Sequence, residues 1–179
     1  MELATKSISG WLRPLLWGGA GILILIPLWA MRFAPGLGFN WTLSDFVFAA
    51  LLIGGVGLAF ELSLRISPHW PYRAGAALGL AAGFLLIWAN GAVGYIGSED
   101  NPYNLVFFGV IAIAFAGALI SVFRAKGMAW TMLAAGIAHA LAGFGGAAED
   151  PVTVPITIAF VGMWLGSARL FQMAARSEV

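Results

Sequence analysis

Residues 73–96 read RAGAALGLAAGFLLIWANGAVGYI. An arginine opens the stretch, and no charge follows until Glu99. An uncharged apolar run of about 20 residues can cross roughly 30 Å of hydrocarbon as a helix. A helix meets its own backbone hydrogen bonds there, where water cannot. The stretch therefore reads as a transmembrane helix. Working outward, five more stretches have the same character: 14–31, 43–63, 104–123, 128–147 and 152–171.

The whole chain agrees with its parts. It has 179 residues, 61% hydrophobic and only 9% charged, with a mean hydropathy of +0.92. A soluble domain carries about 25% charged residues. Six spans take up most of the length, so the short loops leave no room for a soluble catalytic domain. The expected fold is all-α: one transmembrane domain, 1–179, built as a bundle of six helices. There is no cysteine, which excludes disulfides, thiol chemistry and cysteine-held clusters. The first span follows basic residues, as a signal peptide would. No small-residue cleavage pattern follows Trp29, so a retained span is expected.

Charge sets the orientation. Lys6, Arg13, Arg65, Arg73, Arg124, Lys126, Arg169 and Arg176 fall at one end of the spans, and only Arg32 at the other. Lys and Arg hold flanking loops in the cytoplasm, so both termini are expected on the cytoplasmic side of a bacterial inner membrane. The acids Asp45, Glu99, Asp100, Glu149 and Asp150 then lie outside, against Glu2, Glu61 and Glu178 inside. The inner excess favours anionic lipid headgroups.

Spans three and five end alike. Asn90-Gly-Ala-Val-Gly-Tyr-Ile-Gly-Ser-Glu-Asp-Asn-Pro102 matches His139-Ala-Leu-Ala-Gly-Phe-Gly-Gly-Ala-Ala-Glu-Asp-Pro151 in pattern. Spans two and four start alike, as Asp45-Phe-Val-Phe and Asn104-Leu-Val-Phe, with Arg65 and Arg124 further along. The pattern suggests three related helical hairpins, spans 1–2, 3–4 and 5–6, in parallel repetition. Chance likeness among Gly/Ala-rich segments is the alternative.

Gly75, Gly79 and Gly83 recur every fourth residue, as do Gly162 and Gly166. In lipid, small residues let helix backbones approach closely. Packing within the chain is expected from them, with a dimer seam as the alternative. Trp11, Trp17, Trp70, Trp130 and Trp164 on the inner side, and Trp29 and Trp41 on the outer, read as interfacial belts. Trp88 lies within span three and reads as packing.

His139 is the sharpest polar feature, deep in span five with Ala135 and Gly143 on its face. An ionisable group at that depth marks a functional site by default. It could carry protons, ligate a metal or haem, or bind a polar ligand. Alternatively it is a neutral imidazole bonded to a backbone carbonyl or to Asn90, its counterpart in span three. The pairs Glu99-Asp100 and Glu149-Asp150 share one face. Four carboxylates suit a hard divalent cation or an entrance that concentrates cations. They also suit helix starts, with Asn101-Pro102 and Asp150-Pro151 as N-cap and N1 proline. Thr42-x-x-Asp45 resembles a capping box, with a pair to Arg32 as the alternative. Glu61 and Arg65 stand in favourable i,i+4 order, with a buried proton carrier as the other reading. His69 lies in a short inner turn, too far in depth to join His139 within one subunit.

No phosphate loop, HExxH or nucleophile setting is present, and no surface suited to nucleic acid. The stretch Gly97-Ser-Glu-Asp-Asn-Pro-Tyr-Asn-Leu-Val-Phe-Phe-Gly-Val110, with Arg124-Ala-Lys-Gly-Met-Ala129, resembles uncharacterised small inner-membrane proteins of Gram-negative bacteria. That likeness spans segments three to five and implies a multi-pass inner-membrane protein, without an activity. The expectation is a non-enzymatic protein that binds or supports a lipid, a partner protein or a membrane complex. No catalytic residue and no cofactor is assigned, and a homo-oligomer is possible. The alternatives are a small oligomeric channel or secondary transporter working at His139 and Asn90, and a membrane-embedded haem or metal protein.

Overall fold

The computed structural model describes residues 2–177, with side chains from Arg13 onward. Glu2, Lys6, Trp11 and Glu178, used in the charge and belt arguments, lie outside the described side chains. The described chain is all-helical, and six of its helices are long and apolar enough to cross a membrane. They are α1 (Glu2–Phe33), α2 (Leu43–Ile66), α3 (Trp70–Ala92), α4 (Val106–Ile120), α5 (Ala125–Gly146) and α6 (Thr153–Ser177). One 3-10 turn, Pro102–Leu105, extends α4 toward its loop. The chain divides into two compact units, residues 1–62 and 63–179.

The first unit holds α1 and most of α2. Long side chains connect them. Arg13 reaches Glu61 with a 2.9 Å ion pair and a 3.2 Å Nε–H bond. One turn on, the Trp17 ring lies 3.4 Å from where a methyl on Gly57 would sit. Position 13 thus faces 61 and 17 faces 57, an antiparallel register that advances one turn per step. The interhelical partner of Glu61 was not legible from its i,i+4 spacing to Arg65. At the other end, Asp45 accepts from the Thr42 backbone N–H (2.7 Å) and hydroxyl (2.8 Å), the acid's half of the capping box its spacing implies. Arg32 instead lies over the Phe33 ring, 5.7 Å from its centroid.

The second unit places its helices in the spatial order α3–α6–α5–α4. α5 runs along α6, α3 lies on another side of α6, and α4 lies on α5. The sequential pair α3 and α4 barely touches. Hairpin 3–4 is therefore open where hairpin 5–6 is closed, although their sequences match. Small residues explain the tight pairs. A methyl on Gly136 would stand 3.1 Å from Trp164 Cβ, and one on Gly143 would collide with Thr157. On α4, Gly117 brings Thr131 of α5 to 2.5 Å from the same imagined position. A methyl on Gly75 would stand 3.2 Å from Phe171 and 3.3 Å from Leu170, and one on Gly79 would stand 2.9 Å from Met132 Sδ and 3.0 Å from Ser167 Oγ. The Ser167 hydroxyl also donates to the Gly75 carbonyl at 2.7 Å. A methyl on Gly166 would stand 3.0 Å from Leu78, one on Gly83 would make looser contacts, and Gly162 faces open space.

Candidate functional site: a buried histidine knot

α3 stops at Ala92 rather than continuing to the expected residue 96. Gly94 (φ +78°) and Gly97 (φ +68°) turn the chain with left-handed backbones. A side chain at Gly94 would strike the Ser98 backbone. The turn carries Tyr95 and Ile96 inward, leaving them 5% and 0% exposed. Buried loop backbone needs internal partners, and Asn104 provides them. Its Oδ1 accepts from Ile96 N–H (2.8 Å), and its Nδ2 donates to the carbonyls of Ser98 (2.8 Å) and Ile96 (3.3 Å). The matching segment after His139 does the opposite and stays helical to Gly146.

These elements converge on His139, which is 0% exposed. Tyr95 Oη lies 3.0 Å from its Nε2, and Trp164 Nε1 donates to its Nδ1 at 3.4 Å. Tyr95 Oη also lies 3.2 Å from Thr157 Oγ1. The imidazole stacks on Phe160 (5.0 Å, 14°) and tilts against Phe107 (5.5 Å, 54°). Indole N–H can only donate, so Nδ1 must accept, and the ring proton sits on Nε2. From there it points at the Tyr95 oxygen, which also shares a hydrogen bond with the Thr157 hydroxyl. The tautomer is thereby fixed, and the ring is neutral. Burial pushes the Tyr95 phenol above its ordinary value of 10.0, with the Thr157 contact working the other way.

The knot closes both imidazole nitrogens. A metal or haem iron would need one of them, and so would have to displace Tyr95 or Trp164. A proton entering at Thr157 would find no onward carrier past the indole, which has no acceptor site. Asn90 is buried but is bonded elsewhere. Its Nδ2 donates to the Leu86 carbonyl one turn back at 2.8 Å, and its Oδ1 has no partner. The partners of the imidazole are thus Tyr95 and Trp164, rather than Asn90 or a backbone carbonyl. Trp164 corrects the sequence reading: it is 1% exposed in the core, not part of an interfacial belt. It lies mid-helix in α6 and faces α5 across Gly136.

The two acidic turns do meet. Asn101 Nδ2 donates to Glu149 Oε2 at 3.0 Å, and Gly97 N–H donates to Asp150 Oδ2 at 3.3 Å. Asp150 Oδ1 accepts from Val152 N–H (3.0 Å), and Asn101 Oδ1 from Tyr103 N–H (3.0 Å), both local caps. Glu149 and Asp150 therefore fasten one loop to the other, while Glu99 and Asp100 are exposed. Among the described residues, no three His, Cys, Asp or Glu side chains gather as metal ligands. His69 precedes α3, its backbone N–H held by Ser67 Oγ at 3.3 Å. Phe84 and Trp88 stack at 6.0 Å on α3.

Tyr95, Thr157, Trp164 and Asn104 were missed by sequence reasoning. The one available signal was Tyr95, standing where the parallel segment has Phe144. The chain matches no protein-family model, no curated protein and no solved structure.

Proposed function

We propose that this chain is a non-enzymatic multi-pass protein of the bacterial inner membrane, with both termini in the cytoplasm. In this reading its bundle binds or supports a lipid or another membrane component and conducts nothing. One observation supports this most: the deepest ionisable group, His139, has both ring nitrogens bonded within the chain and no exposed surface. A pathway residue faces a cavity or a partner that changes; this one is held by aromatic rings and an indole donor. The exposed faces elsewhere are apolar, as with Leu23, Leu51 and Phe115, and suit lipid.

Flux assays in proteoliposomes test it. The protein should leave proton and monovalent-cation permeability at the level of empty vesicles, and His139→Phe should change nothing. Flux that His139→Phe abolishes would overturn the reading. The second reading, a small channel or transporter, is favoured by one observation, the buried orphan acceptor of Asn90. It requires flux that Asn90→Leu removes.

A further inference from the structure

At the end of the second unit opposite the acidic turns, three elements are knotted together. The Tyr72 hydroxyl donates to the Phe123 carbonyl at 2.7 Å, and its ring meets the Phe171 edge at 5.0 Å. The start of α3, the α4–α5 turn and the end of α6 therefore share one level. The α5–α6 register set by Gly136 with Trp164 and Gly143 with Thr157 carries on to this end. It places Arg124 and Lys126 opposite Ala174–Arg176.

The turn that presents Arg124 is strained. Val122 and Phe123 have φ values of 49° and 56°, a left-handed conformation unfavourable for bulky residues and worst for a β-branched one. Bonds from Phe123 N–H to Ala118 O (3.1 Å) and from Arg124 N–H to Ser121 O (3.0 Å) hold it. Arg73 is occupied, donating to the carbonyls of Ser67 (2.9 Å) and Leu64 (3.2 Å). Arg124, Lys126 and Arg176 are exposed and make no ion pair among the described residues. Every carboxylate side chain described in this unit (Glu99, Asp100, Glu149, Asp150) lies at the other end. Trp70 and Trp130, 65% and 64% exposed, flank the cations and mark headgroup depth.

We infer that Arg124, Lys126 and Arg176 form a binding surface for an anionic phospholipid whose headgroup carries two phosphates. Three cations on two adjacent helices exceed what one phosphate neutralises. Their depth is where lipid phosphates lie, and no described carboxylate of this unit stands at this end. Basic sites between helices on the cytoplasmic side bind such headgroups. The inference deepens the proposed lipid-supporting role and rests on this end facing the cytoplasm.

Native mass spectrometry of the full chain in mild detergent tests it, with cardiolipin, phosphatidylglycerol and phosphatidylethanolamine added at equal concentration. Cardiolipin should be retained best and phosphatidylethanolamine least. A cation near the surface is worth about fivefold, so Arg124→Gln with Lys126→Gln should weaken cardiolipin about 25-fold. Arg124→Lys should keep most of the affinity. Unchanged melting of the lipid-free variants would show that they fold. Equal retention of the three lipids, an unaltered double variant, or displacement of the lipid by soluble pyrophosphate would each overturn the site. Vesicle flux would overturn the proposed function and leave this lipid ranking untouched.

Discussion

Tyr95 joins His139 to Thr157, and its hydroxyl is the one group both others need. Tyr95→Phe should destabilise the protein by about 1–2 kcal/mol, because it leaves a buried N–H and a hydroxyl unmatched. Unfolding in mixed micelles measures it. His139→Ala also empties a core volume and should cost about 2–5 kcal/mol. pH supplies a separate check. The folded state raises the Tyr95 pKa above 10.0, so its neutral form is favoured by folding. That stability is complete below pH 10.0 and is lost as pH rises through the higher folded value. Tyr95→Phe should flatten this alkaline decline in a stability profile; an identical decline in the variant would refute the assignment. His139 was legible in the sequence because charge-capable residues stand out in an apolar span. Its partners were not, since nothing local to Trp164 or Tyr95 tells which helix each will face.

Elements divide the same way. Span positions followed from local length and hydropathy: four of the six predicted stretches end within three residues of a helix end, while α6 runs on to Ser177 and α3 stops at Ala92. α3 ends early because Gly94 and Gly97 can turn the chain and Asn104 can satisfy the buried loop backbone. The matched segment after His139 lacks such a receiving asparagine and continues as helix. Pairing depends on contacts distant in sequence, so the open α3–α4 hairpin was not foreseeable from a repeat pattern. Two substitutions act at this scale. Asn104→Ala removes three bonds to the inward loop and should destabilise by about 1–3 kcal/mol, with faster proteolysis at residues 93–101 as the readout. Gly143→Ala drives a methyl into Thr157 and should separate α5 from α6. Thr157→Ala should partly rescue it in a double-mutant cycle, and a strictly additive cycle would contradict the contact.

For the whole molecule, the proposed role depends on which side of the membrane each end faces. The basic ends of α3, α5 and α6 and the joined acidic turns lie at opposite ends of the second unit, and the proposed orientation puts the first inside and the second outside. The chain has no cysteine, so single introduced thiols report cleanly. Ser98→Cys in the acidic turn and Ser177→Cys at the end of α6 are to be probed in intact cells with a membrane-impermeant maleimide. The account predicts labelling of position 98 at once and of position 177 only after permeabilisation. Labelling of 177 in intact cells, with 98 protected, would contradict it.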